Sequence, residues 1–234
     1  MRDYTSKFKI LVFLFSIFYF IFYIFVNAQT SPQFFVSWQA QSYASSWYQG
    51  KILAINGTPV EISFELIDNG KIADLSKTKV RWYVNDDLVL NENNGLGIKN
   101  LKITVPDYTG QQTEIRIAVV DYLKTGLVDK LIKIPVVGPE AVINAPYPEH
   151  QILTGENSFQ VFPFFFNVKN LDGLSVEWST NEQKAEGMTV DPWRLSLKVD
   201  LATPLGFTFN LSATIRNFLN QLEFASKNIQ LQVK

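Results

Sequence analysis

The chain has 234 residues, a formal net charge of −1 and no cysteine, which excludes a disulfide framework and thiolate chemistry. Its one histidine, His150, cannot build a zinc site of the usual kind alone, and we predict an ordinary loop residue. No basic run occurs after residue 28, so the electrostatic footprint of a nucleic-acid-binding protein is missing. Stability must therefore come from apolar burial, and 14% aromatic residues predict cores rich in rings.

An almost unbroken apolar run occupies residues 10–26. It follows three basic residues, Arg2, Lys7 and Lys9. This order is typical of an export signal, with Val26 and Ala28 at the positions that predict cleavage before Gln29. A helix of this run would span roughly 25 Å, so an uncleaved membrane anchor is the open alternative. In both cases the positive-inside rule places the rest of the chain outside the cytoplasm, anchored or released to the periplasm or cell surface.

Past residue 30 the dominant hydrophobic period is two, which is typical of half-buried strands. The segments that share this alternation in the first half are 60–66, 80–84, 101–105, 115–119 and 132–136. Turn-forming sequences such as Asn56-Gly57 and Asp68-Asn69-Gly70 separate them. Short strands at this spacing predict an all-β fold built as an antiparallel sandwich.

The second half repeats this pattern at a near-constant offset. The matching segments are 176–178 to 80–82, 195–199 to 101–105, 207–215 to 115–119 and 229–233 to 132–136. We interpret the repeat as a tandem duplication, with one sandwich in residues 31–137 and another in residues 138–234. The boundary falls at Val137-Gly138-Pro139, where proline and glycine end strands. The phenylalanine-rich stretch 162–166 is interpreted as the counterpart of 60–66, with Pro163 indicating a sheet edge.

Residues 80–86, read as Val-Arg-Trp-Tyr-Val-Asn-Asp, resemble the central strand of bacterial immunoglobulin-like (Ig-like) modules of exported surface proteins. The related polycystic-kidney-disease-type domains share this appearance. The resemblance implies two tandem Ig-like sandwiches in which Trp82 and Trp178 fill the space between the sheets. The chain departs from these families in two respects. The disulfide of antibody domains is missing, and Asn85-Asp86-Asp87 stands where the second type has an acidic-glycine turn.

The sequence carries no recognisable catalytic, cofactor-binding or metal-binding pattern, and we predict that the protein is not an enzyme. The oxygen-rich stretches 85–87 and 91–94 lack the alternating ligand spacing of a calcium loop and are interpreted as solvated turns. Gly95 and Gly97 do not open a helix, so they indicate hairpin turns and not a phosphate cradle. Connections of about two to ten residues are expected, which leaves little chain for an active site.

Residues 38–48 contain four aromatic side chains in a polar, small-residue context without clear alternation. The four are Trp38, Tyr43, Trp47 and Tyr48. Rings in such a setting form platforms for sugars or partner proteins, and these are the candidate ligand-binding residues. The alternative is that they cap the open end of the first sandwich, or pack where the chain leaves the membrane.

Together these patterns predict an exported, non-enzymatic cell-surface or periplasmic protein that acts as a structural spacer or protein-interaction module. The alternative is a carbohydrate- or cell-wall-binding module that uses the aromatic segment 38–48. The partners expected from the sequence are the membrane, through the N-terminal segment, and other surface proteins or glycans.

Overall fold

The computed structural model describes residues 31–122, 126–185 and 190–234. The predicted export segment, with its cleavage site between Ala28 and Gln29, lies outside them. Within these ranges the chain forms sixteen strands and two short 3-10 turns, at 148–150 and 171–173, so the all-β prediction is confirmed. None of the helical turns in these ranges has the length and hydropathy that crossing a membrane requires.

The first sandwich consists of two antiparallel sheets around one core. Its strands are β1 (Gln33–Ala40), β2 (Pro59–Asp68), β3 (Lys71–Ile72), β4 (Lys79–Val84), β5 (Asp87–Leu90), β6 (Asn100–Thr104), β7 (Gln112–Tyr122) and β8 (Gly126–Pro135). In one sheet, β2 lies between β1 on one side and β3 and β6 on the other. The other sheet has the order β5-β4-β7-β8. Trp82 is fully buried between them, and its indole N–H donates to Ile98 O at 2.9 Å.

The second sandwich repeats this arrangement. Its strands are β9 (Glu140–Asn144), β10 (Gln151–Ile152), β11 (Gly155–Phe164), β12 (Leu174–Thr180), β13 (Gln183–Lys184), β14 (Arg194–Val199), β15 (Thr208–Asn217) and β16 (Phe224–Val233). One sheet has the order β14-β11-β9 and the other β10-β16-β15-β12-β13, in which the short β10–β16 pair is parallel. Trp178 fills this core as Trp82 fills the first, and its indole N–H donates to Pro192 O at 3.1 Å.

Both sandwiches are Ig-like. If the two-residue strands β3 and β10 are left out of the numbering, one sheet of each sandwich holds the first, second and fifth strands, and the facing sheet holds the third, fourth, sixth and seventh. Apart from the fourth strand, which constant-type immunoglobulin domains place with the first, second and fifth, this is the division of the immunoglobulin sandwich, and a tryptophan is buried on the third strand. The strands β4, β6 and β7 have their equivalents in β12, β14 and β15, as the sequence repeat predicts. That residues 31–137 and 138–234 fold as separate units stays a prediction.

The phenylalanine-rich stretch does not occupy the place expected for it. Phe159 pairs with Leu195 as Ile62 pairs with Leu101, so Phe159 is the counterpart of the first-sandwich core residue. The stretch 162–166 begins in the last part of β11. There Phe164 packs in a separate cluster outside the second core, because a neighbouring segment covers that side of the strand.

The connection between β1 and β2 is longer than the two to ten residues that the sequence suggests. It runs through residues 41–58, here called the bridging segment, and it contacts the second sandwich before the chain returns to β2. Loops of this length without strands or helices of their own are uncommon in compact domains and are usually functional.

Candidate functional site

The bridging segment is joined to the second sandwich through its backbone. Tyr43 N–H donates to Phe166 O at 2.6 Å, and Phe165 N–H donates to Tyr43 O at 2.7 Å. Phe165 has a φ of 61°, in the left-handed region that most residues avoid, and this bends the chain as it leaves β11. The bend presents residues 165 and 166 to the bridging segment, so the two form a short antiparallel bridge.

An apolar cluster fills the junction between the two sandwiches. Ile55 of the bridging segment is buried together with Phe164 and Phe165 of the second sandwich. The ring of Tyr48 stands edge-on to both phenylalanines, with centroids 5.3 Å from Phe164 and 6.0 Å from Phe165. Such edge-to-face contacts add to the energy of apolar burial. The junction is therefore a packed interface, which opposes relative motion of the two sandwiches.

A partly buried polar network lies beside this cluster. The Thr58 hydroxyl, fully buried, donates to Asn167 Oδ1 at 2.7 Å and accepts from Ile55 N–H at 2.9 Å. The Asn167 side-chain amide donates to Asn56 O at 2.9 Å, while the Asn167 backbone N–H donates to Glu223 Oε1 at 2.5 Å. Each hydrogen bond fixes a direction, so the network sets the relative orientation of the two sandwiches more strictly than apolar contact does.

The linker between the sandwiches is held by the same segment. Ala54, which is fully buried, forms a parallel bridge with Val136, and Val137 N–H donates to Ala54 O at 2.9 Å. The Thr109 hydroxyl also donates to Val137 O, at 3.3 Å. These contacts hold residues 136 and 137 in place, so the start of the boundary 137–139 is fixed against the first sandwich.

The four aromatic residues predicted as a platform are distributed over three environments. Trp38 lies in β1 and packs against the first core, with Lys51 Nζ 3.7 Å from its ring centroid. Tyr43 packs against the second core, and Tyr48 belongs to the junction cluster. Trp47 alone among the four exposes more than half of its surface, at 57%. Its ring is T-shaped to Phe162, with centroids 5.1 Å apart.

A groove of about 570 Å³ opens at the junction on the side of Tyr43. Its polar lining comes from both sandwiches, with Gln39 and Gln41 on one wall and Asn167 and Lys169 on the other. Amide and ammonium groups of this kind can hydrogen-bond the hydroxyl groups of a sugar or the backbone of a peptide. The sequence did not indicate Asn167 or Lys169, because only the docking of two distant segments brings them beside residues 39–44.

The oxygen-rich turns use their oxygens within the protein. The Asn85 side-chain oxygen accepts from Glu114 N–H at 2.9 Å, and its amide nitrogen donates to both carboxylate oxygens of Asp107. Glu92 accepts two hydrogen bonds from Arg81, at 3.0 and 2.6 Å, and the Arg81 guanidinium lowers the pKa of Glu92 to about 2. In the part of the chain that the structure describes, no group of three or more His, Asp or Glu side chains is arranged to hold a metal ion.

Comparison with known proteins yields likenesses of fold at low identity. No family model and no curated protein matches the chain. A structure of three N-terminal domains of the Highly Immunogenic Outer Capsid protein (Hoc) of bacteriophage RB49 is 12% identical, with a TM-score of 0.42, over 86% of this chain and 59% of that one. A structure of the ICAM-5 D1-D4 ectodomain fragment is 9% identical, with a TM-score of 0.29, over 85% of this chain and 53% of that one. At these scores the Ig-like assignment rests on the sheet topology.

Proposed function

We propose that the chain is an exported, non-enzymatic protein of the cell surface or periplasm whose two Ig-like sandwiches form a rigid spacer for protein interaction. The observation that carries this proposal is the bridging segment, which joins the sandwiches through a backbone bridge, an apolar cluster and a polar network. Modules joined by a linker alone move relative to each other by default. A spacer holds its ends at a set separation only when that motion is blocked.

Sequence and chemistry support the remaining parts of the proposal. The apolar run 10–26 behind basic residues supports export, with the membrane as a partner if the run is retained. The resemblance of residues 80–86 to bacterial Ig-like modules supports a bacterial surface context. In the oxygen-rich turns, the side-chain oxygens of Asn85 and Glu92 bond other groups of the protein, which supports a structural role for these two residues.

Intact mass of the native protein, measured after cells are separated into cytosol, membrane and external fractions, tests the export step. A mass that begins at Gln29 in the periplasmic or wall fraction identifies a released module, while the full-length mass in the membrane fraction identifies a tethered one. Either result supports the proposal. Full-length protein confined to the cytosol would end it.

We propose glycan or cell-wall binding as the second candidate, because the ring of Trp47 is exposed and makes T-shaped contacts with the rings of Phe162 and Phe164. A sugar can stack on such a ring, since its apolar face matches an aromatic surface. The test is retention of the protein on immobilised cell-wall polysaccharide, compared for the native chain, Trp47→Ala and Tyr108→Ala. Tyr108, which is 70% exposed on the first sandwich, serves as the matched control. This candidate expects retention to be lost with Trp47→Ala alone, and unchanged retention would exclude it.

A further inference from the structure

Among the residues that the structure describes, one edge of the strand β1 has no partner. In the part of the chain that the structure describes, β1 pairs with β2 alone, along its whole length. Gln41 N–H donates to Pro59 O, so odd-numbered residues of the ladder bond toward β2. The backbone groups of Phe34, Val36 and Trp38 therefore point to the open edge. Lys51 Nζ donates a hydrogen bond to Trp38 O at 2.8 Å. No described residue makes a hydrogen bond to the outward-pointing backbone N–H and C=O groups of Phe34 and Val36.

The composition of β1 sets it apart from the other strands at sheet edges. It reads Gln-Phe-Phe-Val-Ser-Trp-Gln-Ala and contains no charged residue and no proline. Exposed edges are normally protected by short length, by charge or by proline, because an open ladder accepts a foreign strand. Within the described ranges, the other edge strands longer than two residues each carry a charge: Asp87 in β5, Lys102 in β6, Lys130 in β8, Glu140 in β9 and Arg194 in β14.

We propose that β1 pairs antiparallel with β1 of a second copy of this chain, and that the pair joins the two smaller sheets of the first sandwiches into one. When a strand pairs with its own copy across a two-fold axis, a charge close to the axis lies near the same charge of the partner. β1 carries none, so this repulsion is absent. The backbone N–H and C=O groups that still lack a partner belong to Phe34 and Val36. The strand register that pairs them places Phe34 opposite Val36 of the second copy. Four backbone hydrogen bonds result, centred on Phe35.

The side chains around the axis suit this register. Phe35 points away from the first core, is 57% exposed, and would face the Phe35 of the second copy as a cross-strand aromatic pair. Phe34 and Val36 already pack at the margin of the first core, which the second copy would cover further. Trp38 lies three residues from the axis, so the two Lys51 ammonium groups that cap it would stay roughly 20 Å apart. The small contact area predicts a reversible dimer.

Sedimentation equilibrium of the full chain, in the form that cells produce, measures dimerisation. Charged substitutions at the two-fold axis test whether β1 is the pairing strand. The variants are Phe35→Lys and Phe35→Glu, each of which places two like charges on the axis at an exposed position that the fold does not need. The native chain should show a concentration-dependent dimer, each variant a monomer, and an equimolar mixture of the two a restored dimer. A native chain that stays monomeric up to several hundred micromolar would overturn the proposal. So would variants that associate as the native chain does.

Disulfide trapping tests the register, since the chain has no cysteine of its own. Phe35→Cys should give a disulfide-linked dimer under mild oxidation, because the two cysteines would face each other across the axis. Gln33→Cys is the matched control on the same face of β1. Its two copies would lie about 13 Å apart along the strands and should remain unlinked. Equal trapping of the two variants, or none with Phe35→Cys, would contradict the register. Self-association and the spacer role are separate claims, and neither result bears on export.

Discussion

Tyr43, in the connection between β1 and β2, donates its backbone N–H at 2.6 Å to the carbonyl of Phe166, which follows β11 of the other sandwich. The return bond from Phe165 N–H to Tyr43 O closes a small antiparallel bridge between the two repeats. A loop of the first sandwich thus serves as a structural element of the second. The junction consequently has a core of its own, and its stability can be tested residue by residue.

Phe164→Ala should weaken the junction. The side chain is 5% exposed and contacts the rings of Trp47, Tyr48 and Phe165, so its removal leaves a cavity among aromatic groups. We expect the free energy of unfolding to fall by about 3 kcal/mol. We also expect one calorimetric transition for the native chain and two for the variant. Differential scanning calorimetry measures both effects. Phe224→Ala, at a 48% exposed ring of the second sandwich, is the control, and a similar loss for both variants would count against a junction core.

Asn167→Ala should destabilise the chain through unpaired polar groups. Its amide side chain bonds Thr58 and Asn56; Asn56 is exposed to water, but the fully buried Thr58 hydroxyl loses its acceptor when Asn167 is replaced. A buried polar group left without its partner costs about 1–3 kcal/mol, and we expect a loss in this range by urea denaturation. Asn228→Ala, on the exposed side of β16, should cost less than about 0.5 kcal/mol. An equally small effect of Asn167→Ala would mean that the network does not hold the junction.

The two core tryptophans should be essential to their own sandwiches. Trp82 and Trp178 are 0% and 1% exposed, and each replacement by alanine empties the centre of a core. We expect a loss of about 3–5 kcal/mol for either variant, close to the whole stability of an ordinary domain. Trp47→Ala, at an exposed ring, is the comparison within the same residue type. Guanidinium unfolding followed by circular dichroism would detect the difference, and comparable midpoints for all three variants would refute this assignment.

The ion pair of Arg81 with Glu92 should make stability depend on pH in acid. Hydrogen bonds from Arg81, chiefly, hold the folded-state pKa of Glu92 at about 2, below its ordinary value of 4.5. The unfolded chain therefore binds the proton more readily, so this contribution is present above pH 4.5 and is lost as the pH falls toward 2. The side chains are about one-third exposed, at 34% and 31%, so solvent screening keeps the effect small.

Glu92→Gln removes the titrating group and keeps a hydrogen-bond acceptor for Arg81. The fall in melting temperature between pH 6 and pH 2 should be smaller in this variant than in the native chain. Glu149→Gln, at an exposed turn residue, controls for the general effect of removing one carboxylate. Melting curves that run parallel for the native chain and Glu92→Gln would show that this pair contributes nothing in acid.

The strands of the cores could be predicted from the sequence because one face of each meets water. Alternation in residues 60–66 identifies the inward side chains of β2, and Trp82 and Trp178 mark the third main strand of each sandwich. The same logic fails at the end of β11. There Phe162 and Phe164 point away from the second core, yet the bridging segment covers them. Both faces of the strand are therefore apolar, and the alternation does not show which side chains point into the core.

The junction itself could not be predicted for a related reason. The bridging segment has no hydrophobic period, and the aromatic residues Trp38, Tyr43 and Tyr48 serve three different surfaces. The network of Thr58, Asn167 and Glu223 unites three segments far apart in the chain, through hydrogen bonds that leave no local sequence pattern. Only the docking of the bridging segment against the second sandwich brings Thr58 to Asn167.

The central claim, that the two sandwiches form one rigid unit, is tested most directly by a spin–spin distance between their far ends. Lys77→Cys in the first sandwich and Leu205→Cys in the second introduce the only two cysteines of the chain, at exposed positions. Double electron–electron resonance on the doubly labelled protein, at a concentration where it is monomeric, should give one narrow distance distribution, which broadens when Phe164→Ala is added. A distribution that is already broad in the parent, and unchanged by Phe164→Ala, would contradict a rigid junction.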